Sequence, residues 1–466
     1  MTINEITIPP LPGERIDESI VRTAAAECYK KRITAALDLA ESKYNTTQLI
    51  VYGDREHFAN IHYFTGYDPR FEEALLILSR GKEPVLLTGN EGWRYSEIIP
   101  YPIKRVLFQS LSLAGQPRKP NPSVLKETIE LAGLNKNSIV GIIGMKYYVA
   151  EEAEDFLHTI DIPHYMVNAF EIHGCQTLNV TDIMIHPAYG LRTTLDIDEM
   201  AVLELAGTKS SRSVYNVLTN LKPGMSEIEA SAFLAVDGDP LVAHPNLNFT
   251  LEGARQILAS PGSHKLKYGS IFNISFGYRS SMVARNALYV QNAGGIPSEW
   301  NGIMEKIFLP YFRVIVHWYE NIKIGITGKT ILELIKKEVP EYDSLGIGLN
   351  PGHLIHNDEW TSSIFTDTGE YVIKDRMAIQ CDIIACPDEY PGIHIEDGLI
   401  MASADTRQQF AEKYPESWKR IEKRRKLMKE QLNIQIGDEV LPLSDIQGCF
   451  SPFTSNPHSV LGVVSS

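Results

Sequence analysis

The sequence lacks the patterns that would mark several classes of protein. Its five cysteines, Cys28, Cys175, Cys381, Cys386 and Cys449, are scattered, odd in number and never spaced as CxxC. That argues against a disulfide framework and for free thiols in a reducing compartment. No apolar run approaches the roughly 20 residues that a membrane span requires. Net positive charge is also missing. With 44 Lys and Arg against 58 Asp and Glu, the chain carries −14, the wrong sign for a general nucleic-acid binder. The opening "MTINEITIPPLPGERIDES" has acids and prolines where a signal peptide would run from basic to apolar. The expectation is a cytoplasmic protein with no membrane and no nucleic-acid partner. One absence is local: no Asp or Glu lies between Glu252 and Glu299.

What is present fits an ordinary globular protein of 466 residues, 44% hydrophobic and 22% charged, long enough for two domains. Residues 1–20 read as an irregular arm. Residues 21–42 have helical spacing, "TQLIVYGD" reads as a buried strand, and "NIHYFTGYDPRFEEALLILSRGKEPVLLTG" as alternating strands and turns with "RGKEP" at a hairpin tip. Helices are expected over 124–134 and 148–161, with "SIVGIIG" a strand between them. This alternation predicts an α/β domain over 21–190. A connector follows, then a long helix from Asp196. "MSEIEASAFLAV" begins another, with Ser226 and Glu229 spaced as a capping box. A helix pair recurs at 300–322 and in "TILELIKKEV". A helix pair plus hairpin appearing twice predicts a pseudo-symmetric α+β domain over 191–405. Residues 406–431 read as a charged helix whose "KRIEKRRK" run is first a solvated face and, as the alternative, a patch for phosphate or nucleic acid. The tail, 438–466, reads as loop, either a disordered end or a flap over a cleft.

Five segments resemble the creatinase, prolidase and methionine aminopeptidase family. They are "NIHYFTGY" (60–67), "LKPGMSEIE" (221–229), "LKYGSIFNISFGYRSSMVAR" (266–285), "NPGHLI" (350–355) and "DRMAIQCDIIACPDEYPGIHIEDGLIMAS" (375–403). The resemblance implies a creatinase-like N-terminal domain, a C-terminal "pita-bread" domain and a homodimer. It also implies two metals, Mn, Co or Zn, held by two Asp, one His and two Glu, which activate water against a carbonyl.

Position by position that metal site is incomplete. Ser275 and Met282 stand where the two aspartates belong, while His353, Asp382 and Glu396 match the histidine and the two glutamates. His394 replaces the usual arginine. The upstream histidine is absent near Ala259–Pro261, and His264 is too close to Gly269 to replace it. Two carboxylates cannot neutralise the roughly four positive charges of a dinuclear site, and a Met thioether is a poor ligand for hard ions. No metal is therefore expected; a single Mn, Co or Zn ion on His353, Asp382 and Glu396 is the alternative.

Without metal, Asp382 and Glu396 repel each other, and a cationic substrate group would relieve them. His353 is then free for proton transfer. The creatinase branch implies such chemistry, with carboxylates gripping a guanidinium-like group while a non-peptide C–N bond is cleaved. The candidate catalytic residues are His353, Asp382 and Glu396. Candidate substrate contacts are Arg285, Arg70, His356, Glu359, His394 and Tyr278. Arg285 either clamps a substrate carboxylate or pairs with Asp382 or Glu396. Arg70 either anchors substrate or pairs with Glu72 or Glu73. His356 and Glu359 either line the pocket or sit on a loop, and Tyr278 and Trp360 read first as packing residues. The leading expectation is a metal-independent hydrolase acting on a C–N bond of a small polar molecule. The alternatives are an Xaa-Pro metallopeptidase with a rearranged site and a catalytically silent binding protein.

Overall fold

A computed structural model describes residues 1–11, 16, 24–119, 123–250, 258–279 and 281–464. Most of the expected arm beyond residue 11, residues 21–23 of the expected first helix, residue 280 in the hairpin tip and the last two residues of the tail lie outside the described residues. The chain forms two compact units, Arg22–Thr193 and Met1–Val21 with Thr194–Ser466. No helix among the described residues is long and apolar enough to cross a membrane.

The chain opens with strand β1 (Thr2–Thr7). The unit Arg22–Thr193 then builds a sheet from β2 (Gln48–Gly53), β3 (Ala74–Ser79), β4 (Val85–Thr88), β5 (Lys104–Leu107), β6 (Ile139–Ile143) and β7 (Gln176–Asn179), in the order β5-β4-β3-β2-β6-β7. The central strands are continuous apolar runs because helices and loops cover both faces. Two expectations fail here. "NIHYFT" is a helix, Ala59–Thr65, closed by Gly66 in the left-handed conformation. Only a single turn, Phe156–His158, forms within 148–161, and the helix comes later, at His164–Ile172. Glu151, Glu152, Glu154 and Asp155 would repel one another along a helix there.

The second unit carries β8 (Asn246–Thr250), β9 (Ile271–Tyr278), β10 (Ser281–Leu288), β11 (His353–Leu354), β12 (Ala378–Ala385), β13 (Ile393–Met401), β14 (Val440–Pro442) and β15 (Ser459–Val464). Strands β11-β12-β13-β10-β9-β8 form one sheet, and β14 also pairs with β13. The two hairpins, β9–β10 and β12–β13, meet antiparallel at β10 and β13. The order therefore reads the same outward from the centre, as the repeated pattern in the sequence leads one to expect. The long helix, Ile197–Asn220, starts at a capping box formed by Asp196 and Glu199. Its Ser210 hydroxyl bridges the hairpin, donating to the Ser281 carbonyl at 2.8 Å and accepting from the Tyr278 amide at 3.0 Å. Ser226 and Glu229 also form the expected capping box, but that helix is short, Glu227–Ser231.

Side chains alternate between the faces of this sheet. One face presents Ile274, Phe276, Val283, Ile383 and Ile395 to the core. The opposite face is polar at its centre, where Glu396 pairs in register with Ala284 on one side and Asp382 on the other.

The two chain ends differ from the loop-like reading. Strand β1 pairs antiparallel with β15 from Thr2 opposite Val464 to Thr7 opposite Ser459. A pairing across the whole sequence leaves no local turn signal. The charged helix is split at Tyr414, before Pro415. Its basic run is not simply solvated, because Arg424 is 2% exposed and sits between Glu204 and Asp445.

Candidate active site

His353 opens a short strand at the sheet edge, opposite Gln380. Its ring is fully buried and stacks on Trp360, with centroids 4.2 Å apart and planes at 19°. Nε2 lies 3.0 Å from Glu359 Oε1, 3.7 Å from Asp382 Oδ2 and 3.9 Å from Glu396 Oε1. Despite these approaches it makes no well-directed hydrogen bond. On the next strands, His394 Nε2 is 2.6 Å from Asp382 Oδ1 and 3.9 Å from Glu396 Oε2. Gln380 Nε2 donates to Glu396 Oε1 at 2.9 Å and to the Met282 carbonyl at 2.9 Å.

Two imidazoles thus sit among three carboxylates. Burial raises the Asp382 pKa, but the hydrogen bond and charge of His394, with His353 behind, bring it below its ordinary 3.8. Burial pushes Glu396 well above its ordinary 4.5, and the neighbouring Asp382 and Glu359 charges add to it. Burial would lower the His353 imidazole, yet Glu359 and Asp382 outweigh it and hold it above 6.5.

The structure brings together His353, Asp382, Glu396, His394 and Glu359 from the residues singled out in the sequence. It does not bring Arg285, Tyr278 or His356 into that cluster. Arg285 follows Ala284, so alternation turns it to the other face. There it reaches both oxygens of buried Asp397 at 3.0 and 2.9 Å, and the Ile446 carbonyl at 2.6 Å. Its carboxylate partner is neither Asp382 nor Glu396. Tyr278 lies under the Lys209 ammonium, 4.5 Å from its ring centre, and accepts from the Asp237 amide. His356 Nε2 is 3.4 Å from Glu199. Arg70 pairs with Asp68 at 3.0 Å and donates to the Tyr95 hydroxyl at 3.0 Å, not to Glu72 or Glu73. Glu72 instead caps the amides of Glu91 and Gly92. Cys381 is buried on the core side, where burial pushes its thiol well up, the opposite of a nucleophile's setting. Gln380 was missed, although its place two residues before Asp382 puts it on the same face.

No family model matches the chain, and no curated protein matches it in sequence. Solved structures do. A prolidase from Thermococcus sibiricus superposes with a TM-score of 0.62 at 16% identity, covering 81% of this chain and 95% of its own. An Xaa-Pro dipeptidase from Bacillus anthracis gives 0.60 at 15%, covering 82% and 96%. An X-Pro aminopeptidase from Thermotoga maritima gives 0.60 at 14%, covering 80% and 95%. The chain has the prolidase fold. That matches the pita-bread architecture expected from its motifs.

The two-metal site implied by that resemblance does not fit these residues. Ser275 and Met282 offer no carboxylate, and Ser275 lies opposite Ala284 in the row that leads to Glu396. A single ion does fit. Two sets, Asp382–His394–Glu396 and His353–Glu359–Glu396, each bring their ligand atoms within 4.8 Å of one another. Mixed imidazole and carboxylate donors suit Zn, Mn or Co. His394 and Glu359, the departures from the family pattern, complete these sets.

Proposed function

We propose that the protein is a hydrolase of peptidase type, which cleaves an amide C–N bond in a small peptide-like substrate at a rearranged site for one divalent ion. The observation that carries this reading is the buried cluster of His353, His394, Glu359, Asp382 and Glu396. Asp382, His394 and Glu396 form the set that holds an ion without His353. When bound, such an ion polarises a carbonyl and acidifies water.

The remaining pair performs the proton work. Glu359, the most exposed of the three carboxylates, accepts a proton from the attacking water at Oε1. His353, whose pKa Glu359 and Asp382 raise above its ordinary 6.5, delivers a proton from Nε2 to the departing nitrogen. Trp360 fixes the imidazole plane by stacking. The site takes a small-molecule substrate, and the homodimer implied by the resemblance belongs to the same proposal.

The test is metal analysis of purified protein with turnover of a panel of Xaa-Pro dipeptides. About one ion per chain, lost in His394→Ala together with activity, is the expected result. The 2.6 Å contact between His394 and Asp382 favours a second reading. In it each retained acid is already partnered, and the site hydrolyses a small polar or cationic molecule without metal. No bound ion, with turnover that survives a chelator, would replace the first reading by the second. Neither ion nor turnover would leave a silent binding domain.

A further inference from the structure

Beside the cluster, the polar face of the sheet continues into four buried asparagines. Asn248, Asn273 and Asn286 occupy one row across β8, β9 and β10, which leads directly to His394. Asn246 lies two residues from Asn248 on the same face, opposite Ser275. All four are only 3–4% exposed. Opposite side chains in such rows stand about 5 Å apart, so Asn286 is next to His394 and diagonal to Glu396.

Burying one amide costs free energy unless it is fully hydrogen-bonded, and four on one sheet face demand an explanation. Part of the row bonds internally: Asn273 Nδ2 donates to Asn248 Oδ1 at 3.2 Å, and Asn248 Nδ2 donates to the Ala259 carbonyl at 2.7 Å. Two other acceptors on this face stay unmet. Oδ1 of Asn246 and Oδ1 of Asn286 are buried with no hydrogen-bond partner. Both are acceptors that await a donor, and neither carries charge. An apolar ligand would leave them unmet, and an anion would add a further acceptor.

We propose that Asn286, beside His394, and Asn246, farther out on the same face, line a neutral substrate subsite, in which Asn286 takes an N–H-bearing amide group on the part of the substrate beyond the bond that is cleaved. The subsite rests on the hydrolase reading for its purpose, but not for its test. Glycyl-asparagine and glycyl-leucine have side chains of nearly the same shape and differ in the amide. Their affinities are measured by calorimetry on the full chain, beside hydrolysis of each in a separate assay. One met acceptor corresponds to about a tenfold preference for glycyl-asparagine, or about 1.4 kcal/mol. The double variant Asn246→Leu and Asn286→Leu should lose that preference while its melting transition persists.

Equal or undetectable binding of the two peptides to the natural protein overturns the subsite, whatever the variant does. A preference that the folded variant retains also overturns it. Preference without hydrolysis supports the subsite and sinks the hydrolase reading. Hydrolysis of both peptides with equal affinity does the reverse.

Discussion

His353 and Glu359 form a pair whose work can be separated from ion binding. If Glu359 takes the proton from water, Glu359→Gln should reduce kcat about a hundredfold with little change in KM. Bound metal should stay at the natural level, because Asp382, His394 and Glu396 are untouched. Steady-state kinetics with metal analysis of the same preparation checks this. Loss of the ion with activity would make Glu359 a ligand instead. His394→Ala should behave oppositely. It removes the 2.6 Å partner of Asp382, so the ion is lost first. Trp360→Ala tests a weaker role. The stack at 4.2 Å orients His353 without touching the reacting atoms, so a fall of about tenfold in kcat is expected. A total loss would show that Trp360 does more than hold the ring.

At the scale of strands and hairpins, one rule decides which residues reach the site. Alternation puts residues 284, 396 and 382 on one face and 285, 397 and 381 on the other. Arg285 therefore serves the scaffold. Its guanidinium ties β10 to Asp397 on β13 and to the loop carbonyl of Ile446. Asp397→Asn should cost about 3 kcal/mol, since it strands a buried cation. Chemical denaturation measures the loss, and a change below about 1 kcal/mol would mean that Arg285 finds other acceptors. The same rule explains what could be read in advance. The order and spacing of the motifs revealed the fold, and the resemblance they carry pointed to His353, Asp382 and Glu396, which the structure brings together. Arg285 was misplaced because its neighbour's motif was read without its parity. The asparagines were overlooked because Asn scattered through a sequence reads as turn chemistry, and only the pairing of β8, β9 and β10 aligns them. Glu359 was left undecided because it reaches His353 through a loop, where no periodicity applies.

At the scale of the whole unit that holds the site, the long helix is fastened to the C-terminal segment by buried charge. Fully buried Glu204 accepts from Arg424 Nη1 at 2.7 Å and also bonds Arg420, while Arg424 Nε reaches Asp445 Oδ1 at 2.8 Å. Asp445 in turn accepts from Arg212 at 2.7 Å. Burial raises the pKa of both acids, but the guanidinium charges outweigh it and leave Glu204 below its ordinary 4.5 and Asp445 below its ordinary 3.8. The unfolded chain therefore binds protons at these two groups more readily than the folded one. Their contribution to stability is complete above the ordinary values and is lost as pH falls through them toward the folded values. Glu204→Gln should lower stability at pH 7 by about 3 kcal/mol, because Arg424 and Arg420 lose their shared counter-charge. Its melting temperature should then fall less steeply than that of the natural protein once the pH drops below 4.5. Thermal melts from pH 7 down to about pH 3, which spans both ordinary values, decide the matter. Parallel curves for the two proteins would show that Glu204 has the same pKa folded and unfolded. Its charge would then not favour the folded state.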